Sequence, residues 1–315
     1  MKRYIVIIAI AISALVAWNL SFNAIRFRSE LRMGTIVSIT LKAPAWSDFE
    51  STFDRAFDAI DKVDSIASIY DANSQITRLN RYAHLKPVVV SDELFFLVSK
   101  SFLLSSESEG AFDVTVLPLV KLWNSYKQKN LIPDDALIKE ALLLVGYKNI
   151  SLDADKKTIY FKKPGISIDL SALAKGYAVD EAIRSIKESG FSSAIVNAGG
   201  DLYCLGRRSF FSPWSIGIID PNNDSRVIKK LVLEDMAVAT SGGYQQHYQY
   251  KGRDYTHIIN PKTGYPIKDA FFSITVIAPN CLIADGIATA VTVGGDELIE
   301  RLNKIYSDIS ILVER

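Results

Sequence analysis

Apolar residues recur three and four apart through residues 48–69, at Phe49, Phe53, Ala56, Phe57, Ile60, Val63 and Ile66, which predicts an amphipathic helix with one buried stripe. Residues 91–107 predict a second helix. Ser91 suits its N-cap, Asp92 and Glu93 complement the dipole in its first turn, and Gly110 stops it. Residues 114–126 and 133–145 read as two more helices, the latter entered by Pro133 with Asp134 and Asp135. Residues 35–41 alternate with period two, as a strand does. Beyond residue 150 the pattern changes. Short β-rich runs at 158–161, 193–197, 202–205, 214–219, 227–233, 237–239 and 272–277 are separated by turn residues such as those at 221–224, and helical patterns return at 171–188, 281–293 and 297–306. This layout predicts an α+β fold, a mostly antiparallel sheet with flanking helices, in one compact domain.

The first residues stand apart. Lys2 and Arg3 precede an apolar run, residues 5–18, whose one polar residue is Ser13, and this is the order of an export signal. A cleavage site with small residues at both required positions is hard to find, which favours an uncleaved anchor. Residues 4–25 are just long enough to span a bilayer of about 30 Å. The division expected is therefore a signal or anchor segment at 1–28 and a single domain at 29–315. Lys2 and Arg3 beside the segment place the body outside, at the periplasmic face of a bacterial inner membrane. Lys plus Arg number 36 against 35 Asp plus Glu, so no net field invites nucleic acid. The only cysteines, Cys204 and Cys281, lie in apolar stretches and are expected as two buried free thiols, too few for a thiolate metal site.

The densest chemistry lies in DLSALAKGYAVDE, residues 169–181. Ile166 and Ile168 read as a strand end, and an acid, a tight turn and a helix follow. At such a junction the unpaired helix N–H groups can hold an anion, Lys175 can add a full charge, and Gly176 permits close backbone approach. Asp169 either caps the helix or meets a ligand donor or a metal. Asp285 and Thr289, four apart on a helical pattern, project from one face. Oxygen donors of this kind suit Mg²⁺ bound together with substrate phosphates; the alternative is a helix cap at Asp285 and a back-bond from Thr289. Of three histidines, His84 sits in a polar loop and His247 in a hairpin. His257, just before an Asn–Pro turn, suits a general base near neutral pH, or a histidine bonded to nearby backbone. Gly199 and Gly200 in NAGGD are followed by neither GxGxxG nor GxxxxGK[ST], which excludes a dinucleotide or phosphate-loop fold.

Six segments, AFDVTVLPLVKLW (111–123), DLSALAKGYAVDE (169–181), AIVNAGGDLYCLG (194–206), ATSGGYQQHY (239–248), YTHIINPKTGYP (255–266) and IADGIATAVTVGG (283–295), taken in this order resemble the ApbE family of flavin transferases, from about Met33 to near Leu312. The resemblance implies an α+β unit of the T-fold kind. It implies a Mg²⁺-dependent enzyme that takes FAD and moves its FMN half onto a threonine or serine hydroxyl of a flavoprotein, forming a phosphodiester and releasing AMP. Metal ligands are then implied at Asp285, Thr289 and the carbonyl of Ala172, and an FAD pocket lined by Met33, Tyr70, Ala111, Phe112, Asp113, Asp169, Lys175 and Ile259. In that pocket Met33 and Tyr70 offer polarizable or flat surface, Asp113 an acceptor for an adenine or flavin donor, and Lys175 a charge for the pyrophosphate. The catalytic roles fall to His257, Asp169 and Lys175. The implied partners are FAD, exported or membrane-bound flavoprotein acceptors and, through the N-terminal segment, the membrane. Water in place of threonine would give an FAD pyrophosphatase, and a pocket without turnover a flavin-binding protein.

Overall fold

The structure, a computed structural model, describes residues 23–314 apart from 221–222, 243–246, 251–252 and 268–272. Seven strands lie side by side in chain order, each antiparallel to the next. They are β1 (Asn23–Arg32), β2 (Thr35–Pro44), β3 (Ala194–Ala198), β4 (Asp201–Leu205), β5 (Met236–Gly242), β6 (Ser273–Ala278) and β7 (Ser310–Glu314). Alternation decides which face is core: Val37, Ile39 and Leu41 of β2 are fully buried, and the residues between them are not.

Helices occupy the long connections. Between β2 and β3 come α1 (Phe49–Ala67), α2 (Gln75–Tyr82), α3 (Asp92–Glu107), α4 (Leu117–Lys127), α5 (Asp135–Leu142) and α6 (Ser171–Glu188), and between β6 and β7 come α7 (Cys281–Gly294) and α8 (Asp296–Ile305). The apolar stripes of α1, α6 and α7 share one core with the helix-facing side of the sheet. On the opposite face the strands Arg207–Ser209, Ser212–Asp220 and Asn223–Leu233 form a second layer, which packs Trp214, Ile218, Leu231 and Leu233 onto Leu202, Cys204 and Val238. This is the expected α+β architecture.

Ser91 caps α3 as expected, accepting from the Leu94 N–H at 3.2 Å, and Asp48 caps α1 by accepting from the Ser51 N–H at 3.1 Å. Both thiols are free and buried, as expected. Three elements depart from the expectation. β1 begins at Asn23, so the folded body takes in residues 23–28, which the sequence assigns to the leader. Its side chains Ile25, Phe27 and Leu31 alternate with Arg26, Arg28, Glu30 and Arg32, but here it is the apolar side that faces solvent. Helix α2 buries little more than Ile76 and Leu79, too weak a pattern to read. Ile166 and Ile168 form no strand, because the Asn80 side chain takes both backbone groups of Ile168, accepting from its N–H at 2.7 Å and donating to its carbonyl at 2.9 Å. Among the described residues no helix is long and apolar enough to cross a membrane; of the expected spanning segment 4–25, residues 4–22 lie outside them and 23–25 belong to β1.

Candidate active site

One end of the main sheet collects its tight turns. β1 and β2 are joined there by Met33 and Gly34, with φ of +52° and +71°, the two positive values of a type I′ turn. Beside it the Gly199–Gly200 turn joins β3 to β4, with the Gly199 N–H donating to the Ile36 carbonyl at 3.2 Å. The chain leaves β5 at Gly242 and re-enters β6 at Ser273 at this same end. The turn glycines thus serve the hairpins themselves.

Here α6 and α7 bring three charged groups together. Lys175, one turn into α6, forms a close ion pair with Asp201, the first residue of β4, and its Nζ lies 3.4 Å from Oδ2 of Asp285 on α7. The Gly176 N–H also donates to Asp285 Oδ2, at 3.2 Å. Asp201 is 3% exposed and Asp285 5%, so two buried carboxylates share one ammonium. Burial, and then the Asp201 charge, push the Asp285 carboxyl up to about 7 against the pull of Lys175. Burial raises Asp201 too, with Lys175 opposing. For Lys175 burial disfavours the charge, but Asp285 and Asp201 outweigh it and hold the ammonium above its ordinary value. With both acids ionised the cluster is one positive charge short of neutral.

Gly176 has a different task from the one its sequence suggests. A Cβ there would lie 2.7 Å from the Cys281 carbonyl carbon and 2.9 Å from the Leu282 Cα, so its missing side chain admits the backbone of α7, not a ligand. We expect Gly176→Ala to cost about 1–3 kcal/mol or more, since neither helix backbone yields cheaply. Thermal melting measures it, and an unchanged melting temperature would contradict this packing. The first N–H groups of α7 are already taken: Asp180 accepts from Cys281 and Leu282 at 2.8 and 2.9 Å, and Asn280 from Ile283 at 2.9 Å. The α7 N-terminus is therefore closed to an anion, and Asp285, in the helix interior, is not its cap. The back-bond of this helix comes from Thr292, to the Ala288 carbonyl at 2.8 Å. Thr289 lies one turn beyond Asp285 and is half-buried.

The other predicted residues fall into three groups. Around the cluster, Asp169 accepts from the Ser171 N–H at 2.9 Å, which makes it a turn-forming acid ahead of α6; burial raises its pKa and Lys121 lowers it. Its own N–H donates to the Val114 carbonyl at 2.8 Å, which docks the 111–114 segment beside it. Ala172 sits in the first turn of α6. Within the 111–114 segment, Ala111 and Phe112 are buried in the core. Asp113 accepts from the Thr115 N–H and hydroxyl at 2.9 and 2.6 Å and from the Tyr147 N–H at 2.8 Å, so most of its acceptor capacity serves its own chain.

The third group lies on the turns and connections at the same end. Arg28 pairs with Asp54 and Arg32 with Asp61, so α1 runs along β1 toward the Met33 turn, and Tyr70 follows just beyond its end, 90% exposed. Met33 is half-buried at the hairpin tip. His257 is exposed on the excursion between β5 and β6. On the same excursion Ile259 is buried with Leu119, Trp123 and Ile138, and the Trp123 Nε1 donates to the Gly264 carbonyl at 2.8 Å, so its packing anchors the Asn260–Gly264 turn on α4 and α5.

Asp201 is the member that sequence reasoning missed. An acid opening an otherwise apolar, wholly buried strand, DLYCL, is the signal that marks it. Among the described residues no group of three or more His, Cys, Asp or Glu side chains forms a metal cage. A donor set of Asp285, the Thr289 hydroxyl and the Ala172 carbonyl is of another kind. Two buried carboxylates with one countercharge leave negative charge for a hard cation, so the residues present fit Mg²⁺.

Known proteins resemble this chain in sequence and in fold. The ApbE family profile matches residues 33–313. The chain is 31% identical over 269 residues to a Vibrio cholerae protein named FAD:protein FMN transferase, spanning 84% of this chain and 80% of that protein, and 32% identical over 243 residues to one of that name from Escherichia coli strain K12, spanning 76% and 69%. The crystal structure of the ApbE protein from Thermotoga maritima superposes with a TM-score of 0.84 at 30% identity, covering 93% of this chain and 97% of that one. The flavin transferase ApbE from Vibrio cholerae gives 0.81 at 28% identity, covering 92% and 93%. On sequence and architecture together, the chain belongs to the ApbE family.

Proposed function

We propose that this protein transfers the FMN half of FAD to a threonine or serine hydroxyl of a target flavoprotein, forming a phosphodiester and releasing AMP. The observation that carries the reading is the Lys175, Asp201 and Asp285 cluster, with Thr289 one turn on, in a chain whose relatives bear the name FAD:protein FMN transferase. Asp285, Thr289 and the Ala172 carbonyl would hold Mg²⁺, which when bound supplies Lewis-acid polarisation and charge neutralisation at the FAD pyrophosphate. Lys175, whose side chain is 33% exposed, holds the two acids in place at the mouth of that site and would offer its charge to the pyrophosphate. The flat faces of Tyr70 and the thioether of Met33, at the same end of the sheet, suit the ring system of FAD.

The acceptor hydroxyl must lose a proton as its oxygen attacks phosphorus and the bond to AMP breaks. Exposed His257 is placed to meet an incoming protein, and half-buried Asp169, raised by burial, is the other candidate base. We place the body at the periplasmic face, tethered by the apolar residues 4–22, with exported flavoproteins as acceptors. The test is AMP release with FAD and Mg²⁺, with and without a threonine-bearing acceptor. Transfer predicts AMP in step with acceptor; equal AMP without acceptor would make the protein an FAD pyrophosphatase.

A further inference from the structure

The other end of the molecule carries a second surface. Helix α6 starts at the active end and finishes there, where the Arg55 Nε donates to Ser189 Oγ at 3.1 Å. A cavity of about 820 Å³ opens beside this contact, and both Asn23 and Phe210 line it, with Lys42, Arg55 and Arg207. Asn23 is the first residue of β1 and follows directly on the apolar residues 4–22. Phe210 and Phe211 form the tip of the hairpin joining Arg207–Ser209 to Ser212–Asp220. Their rings meet edge to face at 5.0 Å and stand 81% and 70% exposed. Four cations, Lys42, Arg55, Arg207 and Arg208, stand here with three acids, Asp48, Glu234 and Asp235, of which Glu234 is paired with Arg207 and Asp235 accepts from the Gly206 N–H.

Adjacent aromatic rings at a loop tip present apolar area that none of the described residues covers. The headgroup boundary is hydrated, so a hairpin tip seated there keeps its unpaired N–H and C=O groups in contact with water while its rings meet the acyl chains. Aromatic side chains favour that boundary, and Lys and Arg beside them meet lipid phosphates. The occupant follows from the chain's length. No linker separates residues 4–22 from β1, so a bilayer entered by that segment lies against this end of the body.

We propose that the Phe210–Phe211 tip is a second membrane contact, seated in the headgroup boundary of the phospholipid bilayer that residues 4–22 enter. The active end then faces away from the membrane. This inference rests on reading residues 4–22 as an anchor, and the experiment separates the two.

The full chain is reconstituted into phosphatidylethanolamine–phosphatidylglycerol vesicles with a nitroxide at Phe211→Cys or, as the aqueous reference near Tyr70, at Asn73→Cys. The native thiols are buried and do not compete. The ratio of accessibility to oxygen over a nickel chelate should be several-fold higher at position 211 than at 73. Phe211→Trp, read by quenching from brominated lipids, reports the same contact if the labelled variant fails to fold. Equal ratios in vesicle-bound protein would overturn the hairpin contact and leave the anchor standing. A label at 211 shielded from both reagents would mean a protein partner and overturn it too. Protein that does not stay with the vesicles would overturn both readings.

Discussion

Asp285→Ala should lower kcat/KM for FMN transfer by at least about 10²- to 10³-fold, the loss typical when one preorganised charge-stabilising group is removed. The fold should stay near wild type. The substitution removes a carboxyl whose ionised form is disfavoured by burial, and it leaves Lys175 paired with Asp201, so no buried charge is orphaned. Melting within a few degrees of wild type, with Mg²⁺ binding lost in calorimetry, is the expected pair of results. Retained Mg²⁺ binding and activity would take Asp285 out of the metal site. A collapse in melting temperature would show that its contacts to Lys175 and Gly176 are chiefly structural.

Lys175→Met should do the opposite, damaging stability as well as function. Removing one partner of a buried ion pair costs about 3–5 kcal/mol; because the Lys175 side chain is 33% exposed and water screens part of the interaction, a loss at or below the lower end is expected. The sign with pH follows from the acids. Asp201 and Asp285 both have folded-state values above the ordinary 3.8, so their contribution is fully present below that value and is lost as pH rises, through about 7 for Asp285. Lys175 is the group that opposes this loss. The melting-temperature gap between wild type and variant should therefore be smallest near about pH 5 and widen toward about pH 8. A gap independent of pH would contradict the charge-sharing arrangement. FAD affinity should fall more than riboflavin affinity; equal weakening would show that the ammonium does not face the pyrophosphate.

How much of this was legible in the sequence depended on the range of the signal. The α1 stripe, the alternation in β2 and the Ser91 cap are local, and the structure follows them closely. The Asp285–Thr289 spacing is local as well, so the sequence places both on one face of α7. The partners of Lys175 are not local: Asp201 is 26 positions away and Asp285 110, and only the packing of α6 against β4 and α7 joins them. The same holds for Gly176, whose reason for being glycine is the α7 backbone, and for Ile168, whose strand-like residues are held by the Asn80 side chain instead of a neighbouring strand. β1 escaped because its period-two alternation, Ile25, Phe27 and Leu31 against Arg26, Arg28, Glu30 and Arg32, turns its apolar side to solvent at the sheet edge and directly follows the leader-like run.

The central claim is that a flavin is joined covalently to another protein. The most direct measurement is flavin fluorescence and intact mass of a threonine-bearing acceptor after incubation with this protein, FAD and Mg²⁺, read after denaturation and removal of free flavin. The account predicts an acceptor that gains one FMN through its threonine and gains none when that threonine is replaced by valine. Free FMN with an unmodified acceptor, or labelling that persists in the valine variant, would contradict it.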